Sequence, residues 1–185
     1  MSMRPPADAG RVRRFMEFLG RHATRDAVVY MAGGATAVLE GWRATTRDID
    51  LRIEPEAASG ALGEIIVRAK DELQLNVEFA SPVDFASPVD FMPELPGWRE
   101  RSPFVGRHGA LTFRHVDFYA QALAKVQRDI EHDADDVAAM LSRGLVSRGR
   151  AWELYEAIVP ALPRFPVIDE PSFRARMERA FGPAG

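Results

Sequence analysis

Apolar and polar positions fall into two regimes along the chain. Over residues 1–116 short apolar or alternating runs are interleaved with helical periodicity; from residue 117 onward only helical spacing recurs. Residues 9–22 set Val12, Phe15, Met16, Phe18 and Leu19 among arginines, which predicts a helix with a basic outer face. Residues 27–31 read as a short apolar strand, 33–42 as a helix, and 46–53 as a strand ended by Pro55, which has no amide hydrogen for a ladder. Residues 57–73 form a second amphipathic helix through Leu62, Ile65, Ile66 and Ala69. In residues 75–79, Leu75, Val77 and Phe79 face one way while Asn76 and Glu78 face the other. Residues 104–108 and 110–115 read as a hairpin turning at Gly109, with Arg107, His108, Arg114 and His115 giving it a modest positive charge that reads as a solvated face, a nucleotide or RNA contact being the alternative.

Between strand and hairpin the sequence FASPVD occurs twice in tandem, over residues 79–84 and 85–90. A proline in each copy bars a central strand, so the second copy lengthens a loop, which loop-closure entropy tolerates at small cost. The expected loop runs on through residues 92–103. Beyond it, Phe118, Tyr119, Ala122, Leu123 and Val126 make an apolar helical stripe with Lys125 at its border. Asp133 and Asp136 then lie three apart, in line with Val137 and Met140, where Asp133 as an N-cap and Asp136 in the first turn is ordinary helix chemistry. Helices over residues 148–162 and 170–181 close the chain, with Trp152, Leu154, Tyr155 and Ile158 supplying packing. The expectation is an α+β fold in which a small mixed sheet flanked by helices, residues 1–116, carries a helical C-terminal portion, residues 117–185, in one compact unit.

Composition narrows the functional classes. With 46% hydrophobic and 28% charged residues the chain has the make-up of a soluble globular protein. A net charge of −3 supplies no global field for nucleic acid, and aromatic–basic interleaving is missing, which disfavours a dedicated RNA binder. The absence of cysteine removes disulfides and thiolate metal sites, and no apolar run approaches a bilayer span, so a cytoplasmic location without membrane association is expected. Arginine provides nearly all the positive charge; Lys70 and Lys125 are the only lysines.

The chemistry concentrates in residues 31–53, MAGGATAVLEGWRATTRDIDLRI. Asp48 and Asp50 alternate with Ile49, Leu51 and Ile53, so a strand aims both carboxylates to one face. Paired hard oxygen donors suit Mg²⁺, which binds through one or two carboxylates plus substrate phosphates. A Gly-Gly pair, a short helix and Asp-x-Asp on a strand, here Gly33, Gly34, Asp48 and Asp50 with Thr46 and Arg47 just before the first acid, resemble the signature of the DNA polymerase beta-like nucleotidyltransferases. Within that superfamily the stretch is most similar to the small bacterial branch that includes toxin–antitoxin nucleotidyltransferases.

The resemblance implies a nucleotidyltransferase fold. It also implies a division of labour: Gly33 and Gly34, with Thr46 and Arg47, at a nucleoside triphosphate, and Asp48 and Asp50 on two Mg²⁺ ions that bridge it. A third acid is implied on a strand after the intervening helix, where Glu78 stands, a glutamate in place of the aspartate many relatives use; a solvent-facing strand residue is the alternative. Resemblance to the toxin-like branch further implies Lys125 and Asp133 as nucleotide-site and catalytic residues, Lys125 neutralising triphosphate charge and Asp133 orienting it or accepting a proton. The implied reaction is transfer of a nucleotidyl group from an NTP to a hydroxyl of RNA, protein or a small molecule. The alternative is a non-catalytic binding module or toxin–antitoxin component that holds nucleotide or a partner protein.

Overall fold

Residues 4–79, 92–130 and 132–184 are described by the structure, a computed structural model. The second to sixth residues of each FASPVD copy, with Asp84 and Asp90, therefore lie outside the described residues, as does the intervening Phe85. By internal contacts the chain divides into two compact units, one comprising Met1–Ser87 and Pro103–His115, the other Pro88–Ser102 and Val116–Gly185.

The first unit is built on a mixed five-stranded sheet of order β3-β2-β1-β5-β4. Its strands are β1 (Ala27–Ala32), β2 (Asp48–Glu54), β3 (Asn76–Phe79), β4 (Phe104–His108) and β5 (Leu111–His115). The apolar run AVVYMA takes the central place because a strand covered on both faces needs apolar residues at successive positions. β2 is antiparallel to β1, whereas β3 runs parallel to β2 and β5 parallel to β1. Alternation is strict in β2: Ile49, Leu51 and Ile53 are buried, and Asp48, Asp50, Arg52 and Glu54 occupy the opposite face.

Helices α1 (Ala9–His22) and α3 (Ser59–Glu72) bury their apolar stripes in one core with the sheet, through Phe15, Leu19, Leu62 and Ile66 against Ile49, Val77 and Phe113. Asp8 starts α1 by accepting the Arg11 amide at 2.8 Å. The hairpin turns at Gly109 with φ +57°, and a Cβ there would strike the Gly20 carbonyl, so α1 approaches the turn as closely as backbone allows.

α2 (Gly33–Leu39) is shorter than the apolar pattern predicts, because Gly41 at φ +81° ends the helical path. Likewise β2 begins at Asp48 rather than at Thr46. Thr46 is diverted into an isolated bridge with Ala7, its amide 2.8 Å from the Ala7 carbonyl and the reciprocal bond 2.7 Å.

The second unit is helical: α4 (Trp98–Arg101), α5 (Phe118–Arg128), α6 (Asp133–Ser142), α7 (Arg148–Ile158) and α8 (Glu170–Phe181). The expected loop over 92–103 contains α4, which Gly97 enters at φ +69° and which buries Trp98. α7 stops at Ile158 and tightens into a 3₁₀ turn, Val159–Arg164, since Pro160 and Pro163 cannot donate α-helical bonds. Tyr155 centres the packing, edge-on to Trp152 at 5.5 Å and to Phe173 at 5.0 Å between ring centroids. Among the described residues no helix is long and apolar enough to cross a membrane.

Candidate functional site

Strand register brings the predicted carboxylates onto one face. Asp50 lies opposite Ala32 of β1 on one side and opposite Glu78 of β3 on the other, and Asp48 lies opposite Asn76. Residues in register on neighbouring strands point the same way about 4.8 Å apart, and positions i and i+2 about 6.5 Å apart. Asp48, Asp50 and Glu78 therefore share the sheet face away from Ile49, Leu51 and Val77. Glu78 is the exposed member, whereas Asp48 and Asp50 are half-buried. Among the described residues no group of three or more acids and histidines converges closely enough to hold a metal by itself.

The Gly-Gly pair sits against this row. Gly33 opens α2 at φ +57°, and a Cβ on it would run into the Asp50 carboxylate oxygen. A Cβ on Gly34 would collide with the Thr46 hydroxyl and lie 2.7 Å from Thr46 Cβ. Thr46 is itself fixed, donating its hydroxyl to the Asp48 carbonyl at 2.9 Å. Both glycines are thus dictated by the approach of the turn to the acid strand: Gly33 by Asp50, Gly34 by Thr46. Thr46 supports Asp48 from within the fold, and Arg47 beside it is exposed.

Lys125 and Asp133 belong to the second unit, where they meet each other. The Lys125 ammonium, buried rather than at the border of its stripe, lies 2.9 Å from Asp133 Oδ1 and 2.6 Å from Asp136 Oδ2. Arg128 adds two bonds to Asp133, both 2.9 Å. Asp133 is not the N-cap of α6; His132 holds that position, and the Asp133 carboxylate reaches back to α5. Burial works against the charge on Asp133, but hydrogen bonds from Arg128 and Lys125 outweigh it and hold the carboxyl below its ordinary range.

A second cluster in the first unit escaped the sequence reading. His115 is 2% exposed, not on a solvated face: it continues the buried Leu111, Phe113 alternation of β5. Its Nδ1 lies 3.1 Å from the Thr36 hydroxyl and its Nε2 3.0 Å from Glu40 Oε1, one helical turn further along the chain. Thr36 is in turn 3.0 Å from the Met31 carbonyl. The two-residue spacing from Leu111 was a signal for His115, whereas nothing local linked it to Thr36 and Glu40.

Comparison of the chain with protein-family models, with curated proteins and with solved structures gives no match.

Proposed function

We propose that the chain is a Mg²⁺-dependent nucleotidyltransferase that transfers a nucleotidyl group from a nucleoside triphosphate to a hydroxyl acceptor on RNA, protein or a small molecule. The observation that carries this reading is the row Asp48, Asp50, Glu78 on one sheet face, with the glycine turn laid directly against Asp50. These donors fit the ion: they are hard carboxylate oxygens, and a pair without a closed cage suits Mg²⁺, which keeps positions for substrate phosphate. Asp48 and Asp50 would hold it, with Glu78 on the neighbouring strand as the third acid. When bound, the ion neutralises charge on the triphosphate. The chain's own part is positioning: the turn at Gly33 and Gly34, held close to Asp50 and Thr46 because it lacks side chains, would offer its main chain to the nucleotide beside the acids, and Glu78, the most exposed of the acids, can accept the proton of the attacking hydroxyl.

A second reading has its own support. Lys125 is already engaged by Asp133 and Asp136, and no three acids converge among the described residues, which favours a binding module of the same fold that holds nucleotide or a partner protein without turnover. Thermal unfolding with Mg²⁺ and each of ATP, GTP, CTP and UTP tests both. A ligand at 100 times its dissociation constant adds about 2.7 kcal/mol of stability. The expected result is a Mg²⁺-dependent rise for the wild type that Asp48→Asn/Asp50→Asn abolishes, with labelled nucleotide transferred to an acceptor. A rise without transfer selects nucleotide binding without turnover, and no rise with any nucleotide overturns the transferase and leaves the partner-protein module.

A further inference from the structure

The chain Glu40–His115–Thr36–Met31 contains three close polar contacts: Glu40 Oε1 to Nε2 at 3.0 Å, Nδ1 to the Thr36 hydroxyl at 3.1 Å, and that hydroxyl to the Met31 carbonyl at 3.0 Å. Each hydrogen bond needs its own proton. With Glu40 ionised, a neutral imidazole brings one proton and the Thr36 hydroxyl another, so only two of the three bonds can form; an imidazolium brings the third. In the protonated state Nε2 donates to Glu40, Nδ1 donates to Thr36, and Thr36 donates to Met31. In the neutral state the bond to the Glu40 carboxylate keeps the proton on Nε2. Nδ1 then becomes an acceptor, and the Thr36 hydroxyl turns toward it and away from Met31.

The bond at stake spans the glycine turn, for Met31 and Thr36 bracket Gly33 and Gly34. We infer that His115 is a positioning residue for that turn: uptake of one proton by its imidazole passes through the Thr36 hydroxyl to close Met31 onto the first turn of α2, and loss of the proton releases it. The bearing of this device on nucleotide rests on the functional reading above; the coupling itself does not.

The surroundings suit a titrating group. A cavity of about 320 Å³ opens beside His115, giving protons a route to a buried ring. Glu40 at the C-cap of α2 and Glu17 on α1 face it with charge that favours the imidazolium, Arg13 on α1 with charge that opposes it, and His108 on β4 completes the titratable lining. Burial pushes the His115 imidazole below its ordinary value of 6.5, with Glu40 acting in the other direction. Proton uptake is thereby shifted to the acid side of that value, and closure follows acidification.

The test is a pH titration of the ligand-free, ¹⁵N-labelled full chain by NMR, following the His115 ring and the Gly33 and Gly34 amides. The amides should titrate with the midpoint of the ring, below pH 6.5. Glu40→Gln should move both midpoints to lower pH together. Thr36→Val should leave the ring titrating and the amides flat, and His115→Gln should abolish the step in the amides. Amides that stay flat in the wild type, that keep the step in His115→Gln, or that follow the ring unchanged in Thr36→Val overturn the inference; Glu40→Gln, at a half-exposed position, keeps the test decisive should the buried substitutions unfold. Mg²⁺–nucleotide affinity measured across the same pH range separates the two readings. Coupled amides with no nucleotide binding leave the positioning device standing and remove the functional proposal, whereas binding with uncoupled amides does the reverse.

Discussion

At the scale of single residues, Gly33 and Gly34 are required for different reasons. Gly33 combines a left-handed backbone with contact to the Asp50 carboxylate, and Gly34 leaves room for Thr46 that no side chain would. Gly33→Ala should cost about 1–2 kcal/mol from the backbone alone. Gly34→Ala overpacks a site whose neighbour is anchored, and should cost about 1–3 kcal/mol. Because the Thr46 hydroxyl is the nearest obstacle, Gly34→Ala/Thr46→Ala should lose less than the sum of the single changes, a coupling that a double-mutant cycle by urea denaturation reads directly. Strict additivity would show that the added methyl is accommodated by some other shift.

At the scale of elements, α5 and α6 are joined through charge in a buried place. Lys125 neutralises both Asp133 and Asp136, and Arg128 covers the remaining side of Asp133. Removing Lys125 takes the ammonium away from two buried carboxylates at once: Lys125→Met should destabilise by about 3–5 kcal/mol. Lys125→Met/Asp136→Leu should recover much of that loss, since Asp133 keeps Arg128 and the buried carboxylate of Asp136 is removed together with the ammonium that faced it. Denaturant midpoints for the two variants check this, and a loss under about 1 kcal/mol in Lys125→Met would mean that the cluster opens to water. The outcome bears on function as well, because a lysine tied this firmly can reach a triphosphate only by giving up two carboxylates.

For the whole molecule, two of the shifted groups, His115 in the sheet unit and Asp133 in the helical unit, give acid sensitivity of the same sign. His115 has a folded value below 6.5, so between that value and 6.5 the unfolded chain binds more protons, and its contribution is complete above pH 6.5 and falls as pH drops through the folded value. Asp133 has a folded value below 3.8, so its contribution is complete above pH 3.8 and is lost at still lower pH. Acidification should therefore loosen the sheet unit first and the helical unit later. Amide hydrogen exchange at pH 7, 5 and 3 should show the paired strands β1 and β5, whose exchange requires the sheet unit to open, losing protection before α5 and α6, and the opposite order would contradict the assignment.

How much of this the sequence determined by itself follows from the range of each interaction. Local periodicity and local breakers determined the α+β class, the helix over Ala9–His22, the alternation of β2 and the hairpin at Gly109, because each is written within a few consecutive residues. Alternation also placed Asp48 and Asp50 on one face. Register was decided only by tertiary structure: that Glu78 pairs with Asp50, and that Gly33 abuts that carboxylate, depends on strands that are distant in sequence. So did the true ends of α2 and β2, set by Gly41 and by the Ala7–Thr46 bridge. Asp133 read as a cap because capping is the commonest local use of such a residue, and three-dimensional packing gave it Lys125 and Arg128 instead. The His115 cluster joins residues 75 and 79 positions apart. No window of sequence contains both ends of such a contact; folding alone brings them together, and with them the buried proton on which the glycine turn is proposed to depend.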